Sequence, residues 1–361
     1  GNIKKKLYPE DIFAKDKDGM TSLCRAAYDN DLGRLRYLLE TCGAAQVINV
    51  PDNKGSLPLH WASAKNYVEM VQLLLDYGSD ASVTAKNSFG ESPLYCAVKG
   101  TVCGRMRTTC NFKPNKVETC KLLLLYGAVE NIHTYASSSG FSSQTTPLTM
   151  AIDSSNVLLL ELFLKYVGQL DISEEECSHC LVIAAYVRKI EMLRMLLHSP
   201  IVKGINSNSM RMGCSGVDDY YKYTPLHAAL SDGYNLPYTI EKMKLLLQHG
   251  ADINLPDGGG KSPLAQVVTG GIDSSVLKAL LENRGGQSIN EKNKKGETVL
   301  HLSILYWECC VGMLPETLPE CLSKLTLLLE HGADPNVKMD TAPYGLDRKQ
   351  FNKPLAQTQL F

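Results

Sequence analysis

The side chains most able to do chemistry in this sequence are its eight histidines and twelve cysteines. A histidine can act as a general base or bind a metal ion, but either role needs suitable neighbours. Five of the histidines recur in two short phrases, Thr-Pro-Leu-His and His-Gly-Ala or close variants, and these are His60, His227, His301, His249 and His331. His133, His179 and His198 belong to neither phrase. Because most of the histidines belong to repeated phrases, we predict no catalytic residue and no enzyme activity.

The pair Cys177 and Cys180 has the Cys-x-x-Cys spacing that suits a tetrahedral metal ion. No second pair of ligands follows at the spacing of a zinc finger, and Cys180 falls where a helix is expected to begin. Two interpretations are open, half of a zinc site or the packing of small apolar side chains, and packing is favoured. The glycines at 258–260 lack the Lys-Ser/Thr sequel of a phosphate-binding loop. We therefore predict no metal site and no cofactor.

Charge and cysteine usage narrow the class of partner. Lys and Arg total 37 against 38 Asp and Glu, so no positive excess is available to bind nucleic acid or an anionic membrane. No apolar run approaches the roughly 18 residues that a membrane-spanning helix needs. The cysteines lack the spacing of a disulfide framework and are expected to be reduced thiols. These features predict a monomeric protein of the cytoplasm or nucleus whose partner is another protein.

A phrase built around Thr/Ser-Pro-Leu returns along the chain. A Thr or Ser hydroxyl can cap the free amides of a helix start, and Pro suits the first helical position because it has no N–H to leave unpaired. The phrase therefore predicts a series of helix starts. Its copies begin at Ser56, Ser92, Thr146, Thr224, Ser262 and Thr298.

A second phrase, Leu-Leu-Leu-x-x-Gly, follows several of these copies. The leucines give a second helix its buried face, and the glycine can adopt the left-handed conformation that ends a helix. Each unit is thus predicted to be helix, turn, helix and extended linker. The phrase begins at Leu73, Leu122, Leu245 and Leu327.

Together these phrases, Gly-x-Thr-Pro-Leu-His-x-Ala and then Leu-Leu-x-x-Gly-Ala-Asp-x-Asn, resemble the ankyrin repeat. The resemblance implies an all-α solenoid of about eight helix-turn-helix units joined by hairpin-like linkers. It also implies that the imidazoles of the first phrase tie neighbouring repeats together. The units are expected to start near Asp16, Asp52, Asn87, Ser142, Glu174, Asp219, Asp257 and Asn293.

The resemblance also divides the chain. Residues 1–15 are expected to form a lead-in, residues 16–337 the repeat domain, and residues 338–361 the start of a truncated further repeat. The fifth unit, around Cys180, is degenerate because it lacks the Thr-Pro start. We expect its first helix to have lost its cap.

Insertions interrupt the pattern in five places. Three fall between the two helices of a unit, at 101–116, 235–238 and 308–320, and two lengthen linkers, at 132–143 and 201–218. All are expected on the surface, where a stacked core tolerates them. The first is basic, which suits either a solvated loop or the docking of an acidic or phosphorylated segment.

In ankyrin repeats the partner usually lies along the concave side, against the hairpin tips and the ends of the first helices. The scaffold does not need these positions, so their side chains are candidates for recognition. The tyrosines among them could also pack under neighbouring insertions, and Trp61 is interpreted as a core residue. The candidate partner-binding residues are Tyr28, Asp29, Asn53, Lys54, Lys65, Phe89, Lys99, Tyr186, Tyr220, Tyr221, Tyr223, Lys294, Lys295 and Tyr306.

The principal contact is predicted at Tyr220, Tyr221 and Tyr223, because tyrosine supplies large amphipathic area at interfaces. A separate prediction concerns Asn254 and Asn336. Their surroundings resemble the asparagine site that an oxygen-dependent hydroxylase modifies in many ankyrin proteins.

Two functional classes stay open at this point. The chain is either an adaptor or scaffold arm, or the substrate-recognition arm of a ubiquitin ligase or another multidomain enzyme. The sequence contains no recruiting motif that separates them.

Overall fold

A computed structural model describes residues 14–42, 48–78, 80–100, 115–134, 145–168, 170, 172–187, 189–199, 203–207, 209–210, 222–231, 236–283, 289–313 and 317–338. They divide into two compact units, with the boundary between Ile172 and Ser173.

The first unit contains four helix pairs, numbered here as repeats one to four, within its described residues. The first helices α1, α3, α6 and α8 pack each on the next, and the second helices α4, α7 and α9 do the same. A short helix, α5, and a 3-10 turn at Ala128–Ile132 connect them. The helices are α1 Ser22–Asp29, α2 Leu32–Cys42, α3 Pro58–Lys65, α4 Val68–Asp76, α5 Asp80–Val83, α6 Pro93–Lys99, α7 Lys116–Leu125, α8 Pro147–Asp153 and α9 Val157–Val167.

The second unit repeats this plan as repeats five to eight. Its first helices pack in series, and so do its second helices. A two-stranded antiparallel ribbon, β1 Ser209–Met210 with β2 Lys222–Tyr223, joins the linker to the sixth repeat. The helices are α10 Glu174–Tyr186, α11 Ile190–Leu197, α12 Pro225–Leu230, α13 Leu236–Gln248, α14 Pro263–Thr269, α15 Ser274–Asn283, α16 Val299–Met313 and α17 Leu318–Glu330.

The predicted helix starts are confirmed where Thr/Ser-Pro occurs. The hydroxyl of Thr146 accepts a hydrogen bond from the amide of Thr149 at 3.1 Å, and that of Ser92 from the amide of Tyr95 at 3.2 Å. Each following proline occupies the first helical position. The all-α repeat fold expected from the sequence is therefore confirmed.

The fifth repeat differs from the expectation. Its first helix, α10, begins at Glu174, so Cys180 lies in the middle of the helix and not at its start. The helix has a cap, because the hydroxyl of Ser173 accepts a hydrogen bond from the amide of Glu176 at 3.2 Å. The prediction of a lost cap was wrong, since the cap has moved upstream with the longer helix.

Two of the predicted insertions are largely helical and not loops. Helix α13 begins at Leu236, so residues 236–238 extend a second helix, and α16 continues through Glu308 to Met313 before α17 begins at Leu318. Residues 101–114, 135–143, 201–202, 208 and 211–218 of the other insertions lie outside the described residues. No helix in the described part of the chain has the length and apolar character to cross a membrane.

The histidines of the first phrase join neighbouring repeats, as predicted. The Nδ1 atom of His60 accepts from the amide of Leu57 at 3.1 Å, so its Nε2 carries the hydrogen and donates to the carbonyl of Glu91 at 3.0 Å. The Nε2 atom of His227 lies 2.9 Å from the carbonyl of Lys261 in the next repeat. Each imidazole thus forms one hydrogen bond at the start of its own helix and another to the following hairpin.

These links predict a pH dependence of stability. Burial lowers the pKa of His60, His227 and His301 below the ordinary 6.5, although their carbonyl partners raise it. At these three histidines, the folded chain therefore binds fewer protons than the unfolded chain when the pH is near or somewhat below 6.5. Stability is lost as the pH falls below about 6.5. We expect the urea midpoint to decrease between about pH 7.5 and pH 5.5. Replacing His227 by Gln should make this decrease smaller, and an unchanged slope in the variant would contradict the assignment.

The hairpin tips before repeats one, two, three, seven and eight are each held by an acceptor side chain at the same place in the linker. The Oδ1 atom of Asp52 accepts from the amides of Lys54 and Ser56, both at 2.8 Å, and Asn87 binds the amides two and four residues later in the same way. Consecutive tips are also joined, because the amide of Ser88 donates to the carbonyl of Lys54 at 2.9 Å. The tips are therefore fixed relative to one another within the unit.

Candidate functional site

A cavity of about 470 Å³ lies on the first unit, between the ends of α1, α3 and α6 and the hairpin tips of repeats two and three. Five of the predicted partner-binding residues line it, and these are Tyr28, Lys54, Lys65, Phe89 and Lys99. Trp61 and Glu91 also line it. We call this cavity the groove pocket.

The stacking of the first helices places three of these residues side by side. Tyr28 lies in the last turn of α1, and Lys65 and Lys99 are the last residues of α3 and α6. Because α1 packs on α3 and α3 on α6, the three helix ends meet at one edge of the stack. The amide of Phe89 is held by the Oδ1 atom of Asn87 at 3.0 Å, which fixes the tip opposite them.

The aromatic wall of the groove pocket contains a residue that we expected in the core. Trp61 is half-buried and lines the pocket, with its ring edge-on to that of Tyr28 at 5.4 Å between centroids. Its Nε1 atom donates to the Oδ2 atom of Asp52 at 2.9 Å, which fixes the indole. The core interpretation of Trp61 was wrong, because this hydrogen bond holds the ring at the pocket instead of inside the stack.

A sequence signal for Trp61 did exist. It lies four residues before Lys65 on α3, and residues four apart share a helix face. The ammonium of Lys65 lies 4.4 Å from the centroid of the Tyr28 ring, a cation–π contact. Glu91 was also missed, although it follows Phe89 by only two residues.

The charges of the groove pocket are predominantly positive. Three lysines and one glutamate line it, and the glutamate, Glu91, forms an ion pair with Lys99 at 2.5 Å. Burial lowers the pKa of Lys99, but the hydrogen bond to Glu91 and the charge interactions with Glu91 and its neighbours together outweigh burial, so the pKa is raised overall. No carboxylate of the described residues lies within ion-pair distance of Lys54, which is exposed.

The titratable groups of the pocket are suited to binding more than to nucleophilic chemistry. Burial raises the pKa of Cys96 to about 12, so at neutral pH its side chain is a thiol and not a thiolate. The imidazole of His60 uses both nitrogens in hydrogen bonds of the scaffold. What remains accessible is aromatic surface and ammonium groups.

Two predicted contact residues of this unit lie outside the groove pocket wall. Asn53 packs its side chain over Gly19, the turn glycine of the preceding hairpin, and its amide donates to the Gly19 carbonyl at 3.0 Å. Asp29, the last residue of α1, is exposed. Their part in partner binding stays a prediction.

The second unit has a cavity of its own, of about 520 Å³, between the hairpin tips of repeats seven and eight. Lys294 and Lys295 line it together with Asn254. Tyr186, at the end of α10, is 43% exposed, whereas Tyr306 is half-buried within α16. Neither tyrosine is among the residues that line this cavity.

The predicted principal contact is described only in part. Tyr220 and Tyr221 lie outside the described residues. Tyr223 is half-buried in β2, pairs with Ser209 of the linker and has its ring 6.3 Å from that of His227. Tyr223 therefore contributes to the scaffold, although it was expected at a position that the scaffold does not need, and binding by the three tyrosines stays a prediction.

The two asparagines predicted as hydroxylation sites lie in exposed turns. The amide of Asn254 donates to Asp252 at 2.9 Å, and that of Asn336 to Asp334 at 2.8 Å. The asparagines at the equivalent places of two other repeats bind the turn of the repeat that follows. Asn290, for example, donates to the carbonyl of Gly332 and accepts from the amide of Asp334. This scaffold role accounts for an asparagine at that place, and hydroxylation stays a prediction.

The cysteine pair does not gather further ligands. Cys177 and Cys180 are both buried in α10, and burial raises the pKa of each thiol. Across the described residues, no three side chains of His, Cys, Asp or Glu come together as a group that could hold a metal ion.

Two regions of the chain match models of protein families. A model of ankyrin repeats in three copies matches residues 2–87, and a model of a single ankyrin repeat matches residues 221–258. The chain contains ankyrin repeats in these two regions. Ankyrin repeats generally mediate protein–protein interaction, and the groove pocket lies within the part of the fold matched to the family and the repeat that follows it.

Relatives with longer chains share the repeats. The chain is 24% identical over 256 residues to the human transient receptor potential cation channel subfamily A member 1, covering 68% of this chain and 19% of the relative. It is 35% identical over 89 residues to the ANK repeat-containing protein nipk-1 of Caenorhabditis elegans, covering 23% and 15%. The chain thus spans less than a fifth of the length of these curated relatives.

Among solved structures, the ankyrin repeat domain of human ASB11 matches with a TM-score of 0.49 and 21% identity. The match covers 74% of this chain and 99% of that one.

Proposed function

We propose that this chain is a non-catalytic module that binds a protein or peptide partner on the concave groove and hairpin tips of its repeats. The observation that carries the proposal is the groove pocket. Five side chains line it at positions that the repeat scaffold does not need, and they come from three consecutive repeats. Trp61 lines the pocket beside them. Aromatic side chains in a cavity of this size provide the type of anchor site at which binding energy concentrates.

The state of the cysteines supports the cellular context that we propose, the cytoplasm or nucleus. The described cysteines, such as Cys24 and Cys120, are free and buried, which suits a reducing compartment.

The near balance of charge favours a protein partner over nucleic acid. The greater length of the relatives favours a second candidate, the recognition arm of a larger protein. A ubiquitin ligase stays one proposal for that larger protein.

Site-directed photocrosslinking tests the groove. A photoreactive amino acid in place of Phe89, which is 39% exposed in the pocket, should form an adduct with a partner protein in cell extract. The same group in place of Leu158, which is 64% exposed on α9, is the matched control and should give little adduct. Excess unlabelled chain should suppress the Phe89 adduct.

Equal adducts from both positions would contradict the proposal, because they would indicate collisions with the surface in general. Adducts from Leu158 alone would place the binding face on the outer helices.

A further inference from the structure

We infer that the groove pocket recognises an acidic segment of its partner that presents one large apolar side chain next to carboxylates. This inference rests on the proposed function and names the ligand chemistry of the same site. It follows from the apolar wall, from the lysines at the rim and from the nearby carboxylates, which are already bound by other groups of the protein.

The apolar requirement comes from three aromatic rings. Trp61 and Tyr28 pack edge-to-face, and Phe89 stands on the opposite tip with 39% of its surface exposed. The volume of about 470 Å³ accommodates one large side chain with its neighbouring backbone. A ligand with only charged side chains would leave these rings uncovered.

The charge requirement comes from the lysines. Lys54, Lys65 and Lys99 line the pocket from three different elements, so a bound segment meets ammonium groups on more than one side. Opposite charges within a partly enclosed site attract more strongly than on an open surface. A cationic ligand would be repelled by Lys54, whereas the charge of Lys99 is already paired with that of Glu91.

The local carboxylates do not cancel this charge toward a ligand. Glu91 is engaged by Lys99 and by the side-chain amide of Asn87. Asp52 is only 5% exposed, and its two oxygens accept from Trp61 and from backbone amides. The positive charge of Lys54 is therefore presented to the ligand without a competing carboxylate from the described residues.

The probe for a test is already in the pocket. The sequence contains two tryptophans, Trp61 and Trp307, so replacing Trp307 by Phe leaves Trp61 as the only indole. Three blocked peptides are titrated, one with a central Phe flanked by Glu and Asp, one with that Phe replaced by Ala, and one with the acids replaced by Lys.

The acidic Phe peptide should change the emission of Trp61 in a saturable way. The affinity of the Ala peptide should be lower by at least about tenfold, because the aromatic anchor is gone. The Lys peptide should not saturate. Affinity for the acidic Phe peptide should also fall when salt rises from about 50 to about 300 mM.

A charge-reversal pair tests the role of the rim. Lys54→Glu should weaken the acidic Phe peptide by about tenfold or more, since it removes one attraction and adds a repulsion. Lys165→Glu makes the same change of charge on α9, where the side chain is 68% exposed, and should leave the affinity unchanged. Lys54→Ala, which removes the attraction alone, should give a smaller loss if Lys54→Glu impairs folding.

The outcomes separate this inference from the proposed function. If the Lys peptide or the Ala peptide binds as well as the acidic Phe peptide, the ligand chemistry is wrong while Trp61 still reports a docking site. If a single-stranded oligonucleotide displaces the acidic Phe peptide and binds more tightly, the ligand class is wrong. If no peptide alters Trp61 but Phe89 still crosslinks a partner, the inference fails and the groove function stands. Absence of crosslinks at Phe89 overturns the function itself.

Discussion

Replacing Lys324 by Ala is expected to lower the free energy of unfolding of the second unit by about 2 to 4 kcal/mol. Lys324 lies in α17, is 1% exposed, and its ammonium donates to the carbonyls of Val267 at 3.0 Å and Gly270 at 2.8 Å. Val267 lies in the last turn of α14 and Gly270 directly follows the helix, where carbonyls lack the partners that a helix interior supplies. The substitution would leave both without this donor and would also open a cavity.

Urea unfolding followed by circular dichroism measures the effect. Lys278→Ala is the matched control, because Lys278 is exposed on the neighbouring helix α15. A substitution of this kind usually changes stability by less than about 0.5 kcal/mol. A Lys324 variant as stable as the control would show that the two carbonyls find other donors at little cost.

Replacing Tyr220 and Tyr221 together by Ala is expected to weaken partner binding by several kcal/mol, since central aromatic anchors each contribute about 2 kcal/mol or more. The melting temperature should be nearly unchanged. Tyr223→Ala should do the reverse, because Tyr223 is half-buried in β2 beside His227 and its loss removes packing from the second unit.

A photoreactive group in place of Lys222, which is exposed on the same strand, reports binding as the yield of adduct with a captured protein. Differential scanning calorimetry of the same variants reports stability. A Tyr220/Tyr221 variant that melts early but crosslinks fully would contradict a direct contact and would favour packing of these rings beneath the linker.

The local signals in the sequence were sufficient for the helix starts. Thr146-Pro and Ser92-Pro cap their helices as expected, because capping depends only on residues within one turn. The role of His60 between repeats was also predictable, since it follows from a fixed place in a repeated phrase.

The exceptions have physical causes that also lie in the sequence. Ser173 is followed three residues later by Glu176, a capping signature that marks the true start of α10 upstream of the expected place. Helix α16 continues past Glu308 because the run from Val299 to Met313 contains no Pro and only one Gly, near its end. In both places, the expected length of a standard repeat masked a local signal.

The site was predictable residue by residue but not as a whole. The repeat pattern indicated Lys65 and Phe89 separately as positions that the scaffold does not need. That they share one cavity depends on how three helix ends and two hairpin tips stack, which no single repeat specifies. Trp61 joins them only because its indole finds Asp52, a contact with the preceding linker.

The hydrogen bonds between hairpin tips have a mechanical consequence. The amide of Asn53 donates to the carbonyl of Gly19, and the amide of Ser88 to the carbonyl of Lys54, so each tip is fastened mainly to its predecessor. Under tension along the chain, separating repeats two and three would break the bond between Ser88 and Lys54 together with the bond from His60 to the carbonyl of Glu91. A ligand in the groove pocket contacts repeats one to three and would raise the force needed to separate them, so that the bound partner would reinforce this part of the chain mechanically.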